Sequence, residues 1–304
     1  MNIAISHSDS DGLLSVVMLL KAKGNENVER VYFTSPNKIL RTICNCATHN
    51  GCENFLYIFD TSARRETMYA SAMFTNSIWI DHHIWEESII KNKPPNVEFY
   101  IDSNAKSATY VAAKFFNINS KLVDYANEID SNNIKSEGSE RIFHIVGSYR
   151  RESKFQEMLN FARKIAEDEN EIFNKIYDPI IEGYKKWIEY SIKIGLNNLK
   201  IEKIESNNKT ISVGIIDSDF ILPFSKIYDN LDVDILLGIA NERENIKVEF
   251  RSKNFDVYKI AKELGGGGHK FASGATLNKN EKEKILETLK NLLKTNANTL
   301  EIVK

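Results

Sequence analysis

Four short clusters of acidic and histidine residues follow apolar segments of the chain. They are His7-Ser8-Asp9-Ser10-Asp11-Gly12, the single Asp60, Asp81-His82-His83, and Asp130. Carboxylates and imidazoles are common ligands of divalent metal ions, and the clusters contain no cysteine. Their five carboxylates and three histidines exceed what one metal ion needs. They therefore predict a site for two metal ions, an arrangement typical of phosphate ester hydrolysis.

The apolar segments are short and alternate with helical patterns, which indicates a parallel sheet covered on both faces by helices. The predicted strands are 2–6, 28–34, 55–59, 77–80 and 97–101, and the predicted helices are 13–23, 38–47 and 107–116. His7, Asp60 and Asp81 lie just beyond the carboxyl ends of three of these strands. Ligands bind at that edge of open α/β sheets, so the three side chains converge if the strands are neighbours.

The second half of the chain has a different pattern. Residues 154–197 are helical in pattern, and strands return at 210–216, 233–240 and 246–251, followed by a glycine-rich loop and helices at 271–275 and 281–293. We predict an α/β fold, with a mainly parallel sheet in an N-terminal domain and a smaller α/β C-terminal domain. The predicted divisions are 1–150, a helical connector at 151–199, and 200–304, with the domain boundary within 190–205.

Charge and hydropathy limit the classes of function. The formal net charge is -2, so a uniformly basic protein that coats nucleic acid is excluded, although a local basic groove is not. No run of 18 apolar residues and no signal-peptide layout is present, which predicts a cytoplasmic protein without a membrane partner.

All three cysteines lie in one short segment, as Cys44, Cys46 and Cys52, together with His49. An odd number of cysteines in a predicted intracellular chain argues against a disulfide framework. Structural zinc sites usually take ligand pairs from separated segments. Free thiols at a helix end are therefore favoured, and a further metal site is the alternative.

The N-terminal clusters allow more than one interpretation. In an extended segment, His7, Asp9 and Asp11 would point to one side, and Gly12 would permit a turn into the next helix. The alternative is a solvated loop with Asp11 as a helix N-cap. Asp60 alone is also more often a cap than a ligand, but beside the other clusters we expect it to bridge two metal ions.

The later clusters add histidines and one more acid. In Asp81-His82-His83, one imidazole would bind metal, and the other would contact the scissile phosphate or act as an acid. Asp81 would then orient a histidine. Asp124 and Glu128 share a predicted helical face, so at least one is solvated, and Asp130 is the better ligand candidate.

The glycine run 265–268 and the following His269 form a second distinctive feature. Consecutive glycines let backbone N–H groups approach an anion, and Arg251 can bind a phosphate through two hydrogen bonds. The alternative is a flexible loop. The combination predicts a clamp for the non-reacting end of a phosphate-bearing substrate.

Asp81-His82-His83 and the Gly-Gly-Gly-His of 266–269, in this order, resemble the DHH phosphoesterase superfamily with a C-terminal DHHA1 domain. The resemblance implies two Mn²⁺ ions, with Mg²⁺ or Co²⁺ as substitutes, and cleavage of phosphoester bonds by a metal-bridging hydroxide. It implies ligands His7, Asp9 and Asp60 for one ion. For the other ion it implies the ligands Asp11, Asp60, His82 and Asp130. It also implies that the substrate is contacted by His83, Arg251, Ser252, Gly267, Gly268 and His269.

The same resemblance suggests the substrate. Among the family's activities, hydrolysis of short single-stranded oligonucleotides, RNA with DNA as a further candidate, fits best. The segment 250–253 together with 265–269 resembles the nanoRNase-like branch, and no OB-fold extension for long single strands is apparent. Cyclic-dinucleotide cleavage and dephosphorylation of 3′-phosphoadenosine 5′-phosphate are alternatives, and a non-catalytic nucleic-acid-binding replication factor is a distant one. A homodimer is left open.

Overall fold

The computed structural model describes residues 2–206, 209–242 and 245–300. The chain divides into two compact units, Met1–Lys185 and Lys186–Lys304, and each unit has its own sheet. The α/β class and the parallel N-terminal sheet are confirmed. The division into 1–150, 151–199 and 200–304 stays a prediction.

The sheet of the N-terminal unit is entirely parallel. Its strands are β1 (Asn2–His7), β2 (Val28–Thr34), β3 (Phe55–Phe59), β4 (Asn76–Asp81) and β5 (Val97–Ile101). They lie in the order β2-β1-β3-β4-β5, so β1, β3 and β4 are direct neighbours. The helices of this unit are α1 (Ser10–Lys23), α2 (Ile39–Asn50), α3 (Arg65–Ser71), α4 (Glu87–Lys91), α5 (Ala108–Phe116), α6 (Leu122–Asp130), α7 (Glu137–Arg151) and α8 (Phe155–Glu167). Helix α9 (Asp178–Asn197) runs through the division between the two units.

Helices bury both faces of this sheet, as the apolar strands predict. Ala4 points to a core formed with α1 and α5–α8, whereas its neighbours Ile3 and Ile5 point to a core formed with α2–α4. Burying a side chain such as Ile5 stabilises the fold by roughly 1.5–3 kcal/mol. Because the helices occupy the faces, polar side chains can collect at the carboxyl edge of the sheet.

The C-terminal unit contains a mixed sheet in the order β10-β11-β9-β8-β7-β6. Its β7 and β8 are parallel, and the other neighbouring pairs are antiparallel. The strands are β6 (Leu199–Ser206), β7 (Lys209–Ser218), β8 (Ile235–Asn241), β9 (Asn245–Ser252), β10 (Gly267–Gly268) and β11 (Ala272–Asn278). The helices are α10 (Phe224–Tyr228), α11 (Val257–Glu263) and α12 (Lys282–Leu300).

The helix predicted from Phe271 to Ala275 is wrong, because residues 272–278 form β11. Burial alternates along this segment, with Ser273, Ala275 and Leu277 buried, and the whole strand pairs with β9. A helix here would leave the N–H and C=O groups on that side of β9 without partners. Strand β6 was not predicted either.

Helix α1 begins at Ser10, three residues earlier than predicted, so Asp11 and Gly12 lie in its first turn. The segment from His7 to Asp11 therefore does not stay extended. Within the described ranges, no helix has both the length and the apolar character needed to cross a membrane.

Candidate metal and catalytic site

Three predicted site residues meet at the carboxyl edge of the parallel sheet. His7 ends β1, Asp81 ends β4, and Asp60 directly follows β3 between them. The N–H of Asp60 donates to the carbonyl of Ile80 at 3.1 Å, which ties this turn to β4. Asp60 has a positive φ of 54°, a conformation that most side chains avoid and that Asp tolerates.

His7, Asp9 and Asp60 form the first group of donor atoms. Nδ1 of His7 lies 2.5 Å from Oδ2 of Asp9 and 3.6 Å from Oδ2 of Asp60. Asp9 is the N-cap of α1 and accepts a hydrogen bond from the N–H of Gly12 at 3.0 Å. A Cβ at position 12 would lie 2.2 Å from the carbonyl oxygen of His7, so only glycine permits this close start of the helix.

Asp11, Asp60 and His82 form the second group and share Asp60 with the first. Nε2 of His82 lies 3.6 Å from Oδ2 of Asp11, 3.7 Å from Oδ1 of Asp60 and 3.6 Å from Oδ2 of Asp130. Nδ1 of His82 faces the carbonyl of Ala105 at 3.3 Å. A carbonyl only accepts, so Nδ1 carries a hydrogen, and Nε2 is the ring nitrogen that faces the carboxylates.

Helix α5 holds Asp11 in place. The carboxylate accepts hydrogen bonds from the N–H groups of Ala108 at 2.7 Å and Thr109 at 2.9 Å, and from the hydroxyl of Thr109 at 2.6 Å. The N-terminus of a helix favours a negative charge. Sequence reasoning missed Thr109, although one signal was available: a helix that follows β5 must begin at the same sheet edge.

Asp81 and His83 belong to a third group, again with Asp60. Nδ1 of His83 lies 2.7 Å from Oδ1 of Asp81, and the indole N–H of Trp85 donates to Oδ2 of Asp81 at 2.6 Å. Asp81 therefore orients its neighbours, as the sequence suggested. Because Nδ1 of His83 is bound to Asp81, Nε2 is the ring atom suited to meet a substrate.

Crowded carboxylates dominate the electrostatics. Burial, followed by the charges of neighbouring carboxylates, raises the pKa of Asp60 and Asp130 well above the usual value for Asp. Burial also raises the pKa of Asp11, although His82 and Thr109 oppose this. Burial alone would raise the pKa of Asp9, but His7 holds that pKa below its usual value. Such a set of converging acids suits divalent cations, so the residues present fit a metal centre.

The Asp81–His83 pair behaves differently. Burial opposes the charged form of each partner, but their mutual attraction and hydrogen bond prevail. The pKa of Asp81 falls to about 2, and that of His83 rises to about 9. The pair therefore keeps a proton on the imidazole near neutral pH.

Two other acids of α6 lie outside these groups. Glu128 accepts hydrogen bonds from the N–H groups of Lys135 and Ser136 and from the hydroxyls of Ser136 and Ser139. These bonds tie Glu128 to the start of α7, and because they favour the charged carboxylate, they lower the pKa of Glu128 to about 2. Asp124 is exposed.

The cysteine segment forms no potential metal group among the residues that the structure describes. Cys46 is buried, Cys44 is partly buried and Cys52 is exposed. Nδ1 of His49 lies 2.8 Å from the carbonyl of Asn45, within α2.

The predicted substrate residues of the C-terminal unit lie on neighbouring strands. Arg251 pairs with Ala272 across β9 and β11, and its Nη2 contacts Oε2 of Glu249 at 2.8 Å. Ser252 is buried, and its hydroxyl donates to the carbonyl of Asp234 at 2.7 Å. The fold therefore already uses the hydroxyl that the sequence assigned to substrate.

The glycine loop is likewise partly committed to the fold. The N–H groups of Gly265 and Gly266 donate to α11 carbonyls, and that of His269 donates to Ala272. Gly268 has a φ of +129°, which strongly favours glycine, and the space beside Gly267 is open. Gly267 and Gly268 also pair with Gly274 and Ser273 of β11, so the open side of Gly267 is the part of the run that a ligand can approach.

Comparison with known proteins agrees with this architecture. Residues 207–295 match the DHHA1 domain family. The C-terminal unit therefore contains a DHHA1 domain. No curated protein sequence matches it at a significant level.

Several solved structures share the fold at low sequence identity. The pGpG-specific phosphodiesterase PggH from Vibrio cholerae has a TM-score of 0.55 and 14% identity, over 96% of this chain and 99% of that chain. An exopolyphosphatase-related protein from Bacteroides fragilis has a TM-score of 0.54 and 16% identity, over 96% of this chain and 91% of that chain. RecJ from Thermus thermophilus in complex with Mn²⁺ has a TM-score of 0.55 and 12% identity, over 95% of this chain and 51% of RecJ.

Proposed function

We propose that this chain is a metal-dependent phosphodiesterase of the DHH/DHHA1 type that hydrolyses short single-stranded oligonucleotides, using two Mn²⁺ ions. One observation carries the proposal: of the three donor groups that contain Asp60, one adds His7 and Asp9 and another adds Asp11 and His82. A carboxylate shared in this way suits a pair of cations bound side by side.

The residues that would hold the metal ions are those of the two groups, with Asp130 beside His82. When bound, such ions supply an activated water and neutralise the charge that develops on the phosphate. The Thr109 hydroxyl and the Ala105 carbonyl fix Asp11 and His82 in position. Site geometry is thereby set before substrate arrives, which reduces the cost of reorganisation during the reaction.

His83 would contact the scissile phosphate through Nε2. In the metal-free protein, Asp81 raises the pKa of His83 and holds the ring through Nδ1. A fixed imidazole N–H at this place stabilises negative charge on phosphate oxygens. It can also supply a proton to the departing oxygen.

The C-terminal unit would bind the non-reacting part of the substrate. Arg251 offers a planar guanidinium for a phosphate, with Glu249 as its partner when no substrate is bound. Gly267 and Gly268 would let the substrate approach the backbone. A short substrate is supported by the likeness to PggH, whose stated substrate pGpG is a dinucleotide.

A substrate panel with Mn²⁺ tests the proposal. It should contain RNA and DNA of about two to twenty nucleotides labelled at either end, cyclic di-AMP and 3′-phosphoadenosine 5′-phosphate. Release of mononucleotides, fastest from the shortest linear substrates, is the expected result. If only cyclic di-AMP or only 3′-phosphoadenosine 5′-phosphate is hydrolysed, that compound is the substrate and the oligonucleotide proposal is wrong. If no product forms from any member of the panel, the proposed function is overturned.

A further inference from the structure

Trp85 is a buried residue that contacts the site through Asp81. It lies four residues after Asp81, beyond the two histidines, and only 8% of it is exposed. Its indole N–H donates to Oδ2 of Asp81 at 2.6 Å. No motif in the sequence marked this residue as functional, because a buried tryptophan is ordinarily part of a core.

The two oxygens of the Asp81 carboxylate have different partners. Oδ1 faces Nδ1 of His83 at 2.7 Å, and Trp85 is the donor that reaches Oδ2 among the described residues. Asp81 itself is completely buried. A buried carboxylate that loses one donor turns towards another or admits water, because an unsatisfied charged oxygen is costly. The orientation of His83 thus depends on both bonds.

Aromatic packing fixes the indole ring. The ring centroid of Trp85 lies 5.7 Å from that of Trp79, edge to face, and 4.9 Å from that of Phe99. Both neighbours belong to strands of the parallel sheet, β4 and β5. The indole N–H is therefore aimed at Asp81 by the rigid core.

We infer that Trp85 is a positioning residue, which acts through Asp81 to hold the His83 ring in the orientation needed for catalysis. This inference rests on the proposed function for its catalytic consequence. It extends the site from the charged clusters into the aromatic core.

The test compares Trp85→Phe with Phe74→Leu. Phe74 is an apt control, because it is buried in the same apolar cluster and is not among the aromatic neighbours of Trp85 in the part of the chain that the structure describes. For Trp85→Phe, kcat should fall roughly 10- to 100-fold, as for other groups that orient ligands, while KM and the number of bound Mn²⁺ ions stay unchanged. Phe74→Leu should lose stability without this loss of kcat.

A second variant guards against misfolding. Replacing Trp85 with β-(3-benzothienyl)alanine keeps the shape of the ring but puts sulfur in place of N–H. It should reproduce the fall in kcat with near-normal thermal stability. An unchanged kcat in this variant, or an equal fall in Phe74→Leu, would overturn the inference.

Crystal structures of the metal-free variants separate this inference from the proposed function. If wild-type protein hydrolyses nothing in the substrate panel, the proposed function fails, but the positions of Asp81 and His83 can still be compared. The inference expects both side chains to move in Trp85→Phe and to stay in place in Phe74→Leu. If both stay in place in Trp85→Phe, the inference fails on its own.

Discussion

Asp60 and His82 face each other across two adjacent strand ends, with Oδ1 of Asp60 3.7 Å from Nε2 of His82. This separation exceeds a hydrogen bond, and two other carboxylates lie at similar distances from the same nitrogen. Asp60 adopts its positive φ in the centre of this group. Asp60 therefore combines a sparsely populated backbone conformation with repulsion from neighbouring carboxylates, a combination that is typical of a functional site.

Asp60→Asn should increase stability and abolish activity. Asn tolerates the same backbone conformation, and removing the charge relieves repulsion from the neighbouring carboxylates. We expect the Tm of metal-free protein to rise by about 2–4 °C, as for a gain of about 1 kcal/mol, and turnover with Mn²⁺ to fall at least about 100-fold. Thermal melts in EDTA and with Mn²⁺ measure the first effect. Asp124→Asn, at an exposed acid of α6, should change neither quantity, and near-normal turnover in Asp60→Asn would exclude a bridging carboxylate.

Thr109→Val should weaken metal binding while keeping the fold. The hydroxyl of Thr109 donates to Asp11 at 2.6 Å, and its loss leaves only the two backbone donors. We expect the Kd for Mn²⁺ to rise about 10-fold, measured by calorimetry. Thr210→Val removes a comparable hydroxyl-to-carboxylate bond, to Glu205, in the other unit and should leave the Kd unchanged. Equal Kd values for Thr109→Val and wild type would show that the backbone alone positions Asp11.

Arg251→Ala should raise KM about 10-fold and leave kcat nearly unchanged, because the predicted role of Arg251 is binding the non-reacting end of the substrate. Arg251→Lys should recover only part of the loss, since an ammonium cannot make two parallel hydrogen bonds. Lys247→Ala is the matched control, because Lys247 lies on the same strand and pairs with Glu242. Steady-state kinetics on the best substrate distinguish these cases, and an unaltered KM for Arg251→Ala would refute the clamp.

Cys46 should resist thiol reagents in the folded protein, whereas Cys52 should react quickly. Burial raises the pKa of Cys46 to about 11 from a usual value of 9.0, so its thiolate is scarce near neutral pH. Because the folded pKa is the higher one, this group's contribution to stability is complete below about pH 9 and is lost as the pH rises through about 11. The reaction with a chromogenic disulfide reagent, followed by absorbance, should show a fast phase that is lost in Cys52→Ser. Equally fast reaction of Cys46 would contradict its burial.

Local pattern was sufficient for much of the N-terminal unit. Short apolar runs such as 55–59 identify buried parallel strands, and residues that follow such strands lie at one edge. The amino-acid pattern therefore predicts that His7, Asp60 and Asp81 share an edge, and the adjacency of β1, β3 and β4 brings them together. The Gly-rich run was equally visible, but its pattern did not reveal that β11 follows it, because Ala, Ser and Gly do not distinguish a strand from a helix.

The amino-acid sequence by itself determined the fold class, the strand ends at which acids and histidines collect, and the identity of the clusters. Tertiary structure decided which atoms face one another: Asp9 caps α1, Asp11 is held by Thr109 from a distant helix, and Trp85 reaches Asp81 from the core. The physical reason is the separation along the chain over which each kind of interaction acts. Strand and helix patterns repeat over a few residues, whereas these contacts depend on strand order and on side-chain packing between segments far apart in the chain.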